Sequence, residues 1–517
     1  MRKIKILWTD DEVEVLKPHI LFLREKGFEV DTCSNGRDTL DLVRQNLYDL
    51  IFLDENMPGL SGIETLRLVK EIRTDIPVVM ITKSEEEEIM KAAIGSEIAD
   101  YLIKPVKPNQ IILVIMKILE HKRLITEKTT TDYRLEFNRI GSLISSASTC
   151  TEWIDLYKRL VFWEFELEKS FDPGMAEILK MQENEANISF ARFITRNYLT
   201  WLERKTPENP VLSPDLFSER IFPFIDSTRP LFFILVDNLR FDHWKTISAE
   251  LAGIYRIVDD DIYFSILPTT TQYSRNAIFA GMMPSQIAGS MPHLWVDEGE
   301  DEGKNNFEKE LFSNQLKRKG LNFKWSYSKI STLTEGKKIN EKINLMLDND
   351  LNILVFNFVD ILSHARTDNS LIRDLAEDES AYRSLVRSWF LHSSLFEMLK
   401  ILSSHNIKII VSTDHGSVKI QNPVKVIGDK NTSTNIRYKA GRNLSYEPDQ
   451  VFELRNPEKA MLPKTNISSK YIFATNKDFL LFPKNFNYYA GYFRNTFQHG
   501  GISLQEMLLP VTFIEPV

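Results

Sequence analysis

From Lys3 to about His121 the chain alternates short apolar runs with stretches of helical period, a pattern that closes as a parallel sheet wrapped by helices. The runs IKILW, YDLIFLD and IPVVMIT read as strands, and VLKPHILFLREKG and IETLRLVKEI between them read as helices. After about Ile125 the pattern turns helical. WIDLYKRLVFWEFELEKSF and ISFARFITRNYLTWLERK carry apolar residues at three- and four-residue spacing, Pro173 and Gly174 separate two helices, and Pro207, Pro210 and Pro214 close the region. Thr126–Thr131 reads as a short polar link. From Leu231 apolar strands return as LFFILVDN, NILVFNFVD and IKIIVSTDHG, each ending in an acidic residue. Open parallel sheets bind ligands beyond the carboxyl ends of their strands, so these three predict one converging acidic site. The expected fold class is α/β: a parallel sheet flanked by helices over 1–122, a helical bundle over 123–213 and a second α/β domain over 214–517.

Composition removes several classes of function. A chain of 517 residues exceeds what one core usually serves, and no stretch approaches the roughly 20 apolar residues of a bilayer-spanning helix, so membrane insertion is not expected. Met1–Asp11 turns acidic too early for a secretory signal, which predicts a cytoplasmic protein. Cys33 and Cys150 are the only cysteines, and their separation offers neither a disulfide framework nor metal-ligand spacing. The net charge of −8 argues against a broad nucleic-acid surface, and the basic run Lys317, Arg318, Lys319 reads as a solvated helix end. Trp153, Trp163, Phe165 and Trp201 read as bundle core rather than as a base-stacking face.

Polar residues stand at the strand ends of the first domain: Asp10 and Asp11 after the first strand, Asp54 closing YDLIFLD, Thr82 closing IPVVMIT, and Lys104 before Pro105. A carboxylate accepts a phosphoryl group only if a divalent cation bridges the two charges, which paired acids beside it can bind. A lysine neutralises the remainder, and a threonine hydroxyl can follow the new oxygens. The constellation resembles the response-regulator receiver family, whose acceptor loop Asp54–Gly62 matches closely, and the resemblance implies a flavodoxin-like receiver fold for residues 1–122. That resemblance implies Asp54 as phosphoacceptor, magnesium held by Asp11, Asp54 and the Asn56 carbonyl with Asp10 assisting, and Thr82, Tyr101 and Lys104 as switch residues.

In the last domain, Asp237 ends its strand, Asp360 and His364 form a D-x-x-x-H pair, Asp414-His415 ends IKIIVSTDHG, and His499 lies in FQHGG. Taken singly, a strand-end Asp is more often a helix cap and a His more often a packed side chain. Together they divide into two mixed trios, Asp360, His364 and His499, and Asp237, Asp414 and His415, each suited to zinc with one position open. The hydroxyls of Leu267–Arg275 lie between the first strand and the other candidate ligands; coordination to zinc lowers a hydroxyl's pKa, and a metal pair suits displacement at phosphorus.

This order resembles the alkaline phosphatase superfamily, and within it the PglZ branch. The resemblance implies an alkaline-phosphatase-like α/β effector with two zinc ions, Thr271 as a nucleophile coordinated to zinc, and Thr270 as the alternative. Relatives that place an Asn three residues after the nucleophile clamp phosphate with it; here Ser274 stands there, with Arg275 and Asn276 beside it. Thr271 also argues against a sulfatase, since sulfatases oxidise a Cys or Ser.

A receiver, a helical spacer and a PglZ-like domain in one chain resemble the PorX-type response regulators associated with type IX secretion. By that resemblance the expected partners are a sensor histidine kinase, a second copy of the chain upon phosphorylation, a cyclic or linear oligonucleotide as phosphodiester substrate, and a sigma factor. An alternative from a different class is a non-catalytic docking platform for a sigma factor, with structural zinc.

Overall fold

The computed structural model describes residues 4–13, 15–83, 98–169, 173–297, 303–368, 378–464 and 468–517. The chain divides into two compact units, Met1–Phe137 with Trp163–Glu177, and Asn138–Phe162 with Ile178–Val517.

The first unit is built on five parallel strands, β1 (Lys5–Thr9), β2 (Glu29–Cys33), β3 (Leu50–Asp54), β4 (Val78–Thr82) and β5 (Asp100–Ile103), in the order β2-β1-β3-β4-β5. Every residue of β3 and β4 is buried, which is why these runs are continuously apolar rather than alternating. Helix α1 (Lys17–Glu25) covers one face through Ile20 and Leu23, joined there by Ile111 and Ile115. Helices α2 (Gly36–Gln45) and α3 (Gly62–Ile72) cover the other through Leu40, Val43, Leu66 and Val69. Asn35 caps α2, and a Ser61–Glu64 capping box starts α3 directly after the acceptor loop. This is the doubly wound order whose ligand crevice lies at the carboxyl ends of β1 and β3.

The spacer consists of helices α4 (Pro108–Ser146), α5 (Cys150–Lys169) and α6 (Pro173–Glu203). It is not a compact body of its own, because its residues are shared between the two units. The polar segment Thr126–Thr131 lies inside α4 rather than forming a link. A helix satisfies its own backbone hydrogen bonds, so polar side chains such as the exposed Lys128 and Thr131 do not interrupt it. Trp163 packs on Tyr133, ring centroids 5.3 Å apart, in the first unit. In the second, Trp153 packs on Phe190 and Phe193, while Phe190 and Trp201 meet Phe264 at 6.2 and 5.6 Å. The aromatic face of α6 is therefore core, shared with the sheet of the last domain.

That sheet has six strands: β6 (Leu231–Val236), β7 (Tyr255–Phe264), β8 (Trp325–Ile330), β9 (Leu351–Phe356), β10 (Lys408–Ser412) and β18 (Leu508–Pro516), in the order β7-β18-β10-β6-β9-β8. The strands β10, β6, β9 and β8 are parallel, and β18 runs antiparallel to both β10 and β7. Between β10 and β18 the chain adds β11 (Val418–Lys419), β12 (Asn422–Lys425), β13 (Tyr438–Gly441), β14 (Val451–Leu454), β15 (Lys470–Ala474), β16 (Asp478–Leu481) and β17 (Phe497–Gln498). These form small sheets in which β11 pairs with β17 and β12 with β16. The core buries Phe232, Ile234, Leu354, Val411 and Phe390 among others, and fixes the carboxyl ends of β6, β9 and β10 beside one another.

Candidate functional site

At the carboxyl edge of the first sheet, carboxylate oxygens of Asp10, Asp11 and Asp54 lie within 4.8 Å of one another. Asp10 and Asp54 are buried and Asp11 is exposed. The Lys104 ammonium bridges Asp10 at 2.9 Å and Asp54 at 2.7 Å. Burial pushes the Asp54 carboxyl up and the charges of Asp10 and Asp11 add to this, while Lys104 opposes it. Three acids crowded at one edge with a single lysine suit a hard divalent cation. Thr82 donates to the Glu55 carboxylate at 2.5 Å, and Tyr101 is half-buried on β5. Asn56, expected to offer its carbonyl, sits exposed in the same loop.

The second site is assembled at the carboxyl edge of β6, β9 and β10. Asp237 follows β6 directly, and its amide donates to the Phe356 carbonyl at 2.8 Å, tying it to the end of β9. Asn238 then takes a left-handed conformation, φ 61°, which asparagine tolerates better than most residues, and its amide donates to Asp360 at 3.2 Å. Asp414 and His415 follow β10, held where Thr413 accepts from the Leu239 amide and donates to the His415 carbonyl. Asp360 departs from the expected strand end: it lies in the first turn of the helix Phe358–Asp368. The D-x-x-x-H spacing is thus a one-turn spacing, which puts His364 on the same helix face as Asp360.

Two groups of side chains lie close enough to share a cation: Asp237, Asp414 and His415, and Asp360, His415 and His499. His415 stands between them, its ring stacked on His499 with centroids 4.1 Å apart. The ring of His364 lies 6.0 Å from that of His499 and its Nε2 is 3.4 Å from Asp360, on a side chain that is 62% exposed. His364 therefore borders the second group from the solvent side. The Nδ1 of His499 meets the Thr269 carbonyl at 3.2 Å, which leaves its Nε2 facing Asp360 at 3.6 Å.

Thr271 opens the turn Thr271–Arg275, and its hydroxyl is 3.0 Å from the His415 Nε2, the nitrogen that lies 3.5 Å from Asp237. The hydroxyl of Thr270 is buried without a hydrogen-bond partner. Two carboxylate oxygens aimed into the site, Asp237 Oδ1 and Asp414 Oδ1, are likewise buried without one. Such orphaned anionic oxygens beside an imidazole nitrogen are the donor set a zinc ion satisfies, so these residues fit a bound metal.

Burial pushes the Asp237 carboxyl well above the ordinary range; Arg275 opposes this while Asp414 and Asp360 add to it. For Asp414 burial acts upward too, but Arg275 and His415 outweigh it and hold the carboxyl low. In Asp360, the hydrogen bond from His364 and the charges of His499 and His364 overcome burial in the same way. Burial, reinforced by the His415 charge, pushes the His499 imidazole down to about 3.

In the sequence Arg275 stands out only as a neighbour of the phosphate-clamp position, and its place is structural. It is fully buried, pairs with Asp237, donates to Asp414 at 2.9 Å, and reaches Asn357 at 3.1 Å. Its fork fixes both carboxylates and has no face left toward a substrate. Ser274 is also removed from the site, bonded to the Ser265 hydroxyl at 2.8 Å. Asn276 donates to the Lys304 carbonyl at 2.9 Å. His243 is buried edge-on against Tyr382 with centroids 4.8 Å apart.

Residues 216–514, more than half of the chain, match the family model described as the BREX system PglZ alkaline phosphatase-like domain. The chain belongs to the PglZ family. Ahead of the PglZ region, residues 123–202 match the PorX response regulator linker domain and residues 6–116 the response regulator receiver domain, which together make the PorX-type architecture. The PglZ chain is 31% identical over 139 residues to the transcriptional regulatory protein ZraR of Klebsiella oxytoca, covering 27% of this chain and 31% of ZraR. It is also 31% identical over 115 residues to the transcriptional regulatory protein ResD of Bacillus subtilis, covering 22% of this chain and 48% of ResD. The match thus spans about a third to a half of these curated relatives. Among solved structures, chemotaxis protein CheY4 of Vibrio cholerae is 26% identical, with a TM-score of 0.21 over 23% of this chain and 99% of its own. A receiver domain protein from Clostridium thermocellum is 30% identical, with a TM-score of 0.22 over 23% and 98%. A receiver domain implies a histidine kinase partner. Among the described residues no helix is long and apolar enough to cross a membrane.

Proposed function

We propose that this PorX-type chain is a response regulator whose PglZ domain is a two-zinc phosphodiesterase acting on cyclic or linear oligonucleotides, controlled by phosphorylation of Asp54. The observation that carries the reading is the Thr271 hydroxyl at 3.0 Å from His415 Nε2, in a site whose Asp237 and Asp414 each present a buried, unpartnered oxygen. Asp237, Asp414 and His415 would hold one zinc, and Asp360, His364 and His499 the other. When bound, the ions supply the positive charge that acidifies the Thr271 hydroxyl and balances the phosphoryl oxygens. Thr271 is the nucleophile, oriented for attack by its turn; Arg275 keeps two carboxylates in place, and Asn238 holds Asp360. Purified Thr271→Ala protein is expected to lose at least about a thousandfold in kcat on a phosphodiester while keeping its zinc. Undiminished turnover would remove Thr271 from the reaction.

In the receiver, Asp54 accepts the phosphoryl group from the kinase, Asp11, Asp54 and the Asn56 carbonyl, with Asp10 assisting, would hold magnesium, and Lys104 transfers its contact to the new phosphoryl oxygens. Thr82 exchanges its Glu55 partner for those oxygens, Tyr101 follows, and the receiver pairs with a second copy. Sedimentation with and without a phosphoryl donor, with Asp54→Ala as control, tests this: a donor-dependent dimer supports it and an unchanged monomer refutes it. The reading further assigns the chain to control of type IX secretion in the cytoplasm, with a sigma factor as protein partner. Pull-down of the sigma factor by donor-treated chain, lost in Asp54→Ala, checks that assignment.

A further inference from the structure

The chain is acidic overall, yet from Phe479 to Gln505 it contains no Asp or Glu, while carrying Lys484, Arg494 and His499. Within this stretch lies the helix Phe486–Phe493, sequence FNYYAGYF, in which Tyr488 is 67% and Tyr489 40% exposed. Only Ala490 of this helix is fully buried. The rings form two ladders one turn apart: Tyr488 on Tyr492 at 6.2 Å and 15°, and Tyr489 on Phe493 at 6.2 Å and 22°. Cations pack on the neighbouring rings: the buried Lys439, which donates to the Thr434 carbonyl at 3.1 Å, lies 4.3 Å above Phe482, and Lys425 lies 5.4 Å above Phe486, while Lys484 is exposed. Tyr489 and Phe493 line a pocket of about 440 Å³ together with Ile436, Lys439, Phe482 and Lys484, and among the described residues no carboxylate lines it. Planar rings left exposed beside lysines, without acids, match a polyanion that carries flat bases.

One wall of the pocket backs onto the site described above. Its wall Thr434–Ile436 contains Asn435, whose amide donates to the His499 carbonyl at 3.4 Å. Gly500 has φ 125°, and a Cβ there would come within 3.0 Å of Asn435 Oδ1 and 3.3 Å of Thr270, so the wall closes directly on the Thr270–Thr271 loop. The aromatic helix leads into β17, which pairs with β11 just after His415.

We propose that the Phe486–Phe493 helix and this pocket form a subsite for a single-stranded oligonucleotide, one base stacking against Tyr489 and Phe493, a neighbouring base on Tyr488 and Tyr492, and the exposed Lys484 meeting the intervening phosphate. This rests on the phosphodiesterase reading and adds where the substrate outside the scissile bond is held. It makes the enzyme prefer substrates at least two nucleotides long.

The test compares zinc-loaded full-length chain with Tyr488→Ala/Tyr489→Ala and Tyr488→Phe/Tyr489→Phe, using a short single-stranded oligodeoxynucleotide and methyl 4-nitrophenyl phosphate. The alanine pair is expected to lower the ratio of kcat/KM for the oligonucleotide to that for the small diester by about tenfold or more, through KM, and the phenylalanine pair to restore it. No change in the ratio, with both substrates turned over, overturns the subsite and leaves the phosphodiesterase standing. No turnover of either substrate by the unaltered chain overturns the underlying reading, and the subsite with it. Loss of donor-induced dimerisation in the alanine pair at an unchanged ratio assigns the face to a second copy, and loss of binding to anionic vesicles at an unchanged ratio assigns it to a membrane; either overturns the proposal.

Discussion

The molecule solves the same electrostatic problem twice, and differently. In the receiver unit one lysine bridges two carboxylates at a sheet edge; in the PglZ unit one arginine bridges two carboxylates at a sheet edge. Lys104 is a point charge on a flexible stem, bonded to Asp10 and Asp54 and 15% exposed, so it can change partners when the charge on Asp54 changes. Arg275 is fully buried, its planar fork bonded to Asp237, Asp414 and Asn357, and it has nowhere to go. A switch needs a cation that can leave, whereas a catalytic scaffold needs one that cannot.

Removing the fixed cation puts this contrast under the greatest stress. Arg275→Met is expected to cost the second unit about 3–5 kcal/mol, because Asp414 is left as an unpaired buried charge and Asp237 as a buried carboxyl without its partner. Denaturant unfolding without metal measures the loss, and added zinc should recover part of it. An unchanged midpoint would mean that Arg275 does not hold the carboxylates.

A second fixed network surrounds Asp242. Arg240 grips Asp242 with two bonds of 2.8 and 2.6 Å, and Arg383 adds a third at 3.1 Å. Burial alone would raise the Asp242 carboxyl, but Arg240 foremost, with Arg383, holds it well below the ordinary range. Asp242→Asn is expected to cost about 2–3 kcal/mol at pH 7. A depressed folded pKa contributes stability that is present above the unfolded value of about 4 and is lost as pH falls toward the folded one. The difference between wild type and Asp242→Asn should therefore shrink below about pH 4. A gap constant with pH would contradict the assignment.

The movable cation should cost least. Lys104→Met is expected to lower receiver stability by only about 1 kcal/mol in the absence of magnesium, since water reaches part of this site. It should nonetheless abolish the response of sedimentation to a phosphoryl donor. A loss as large as that for Arg275→Met would erase the distinction between the two sites.

Much of this arrangement is legible in the amino-acid sequence, for a physical reason. Parallel strands buried on both faces must be apolar throughout, so the acids that close YDLIFLD and LFFILVDN stand out at the positions where ligands bind. The residues that support them are not legible in the same way. Arg275 stands in sequence beside the phosphate-clamp position, and only its burial reveals the role of holding two carboxylates. Asp360 reads as a strand end because one helical turn and a strand terminus both follow an apolar run; the D-x-x-x-H spacing is the signal for a helix. The spacer's division between two units depends on which apolar face meets which sheet. Helical periodicity cannot say that, although the packing of Trp201 on Phe264 decides it.

Everything proposed for the PglZ domain requires that its scattered acidic and imidazole groups hold a pair of divalent ions. The decisive measurement is the metal content of the purified full-length chain, alongside Asp414→Asn and Asp360→Asn, after dialysis against limiting zinc. About two bound ions are expected in the unaltered chain and about one in each variant, with folding intact by circular dichroism. Equal metal content in all three proteins, or none in the unaltered chain, would contradict the two-ion site.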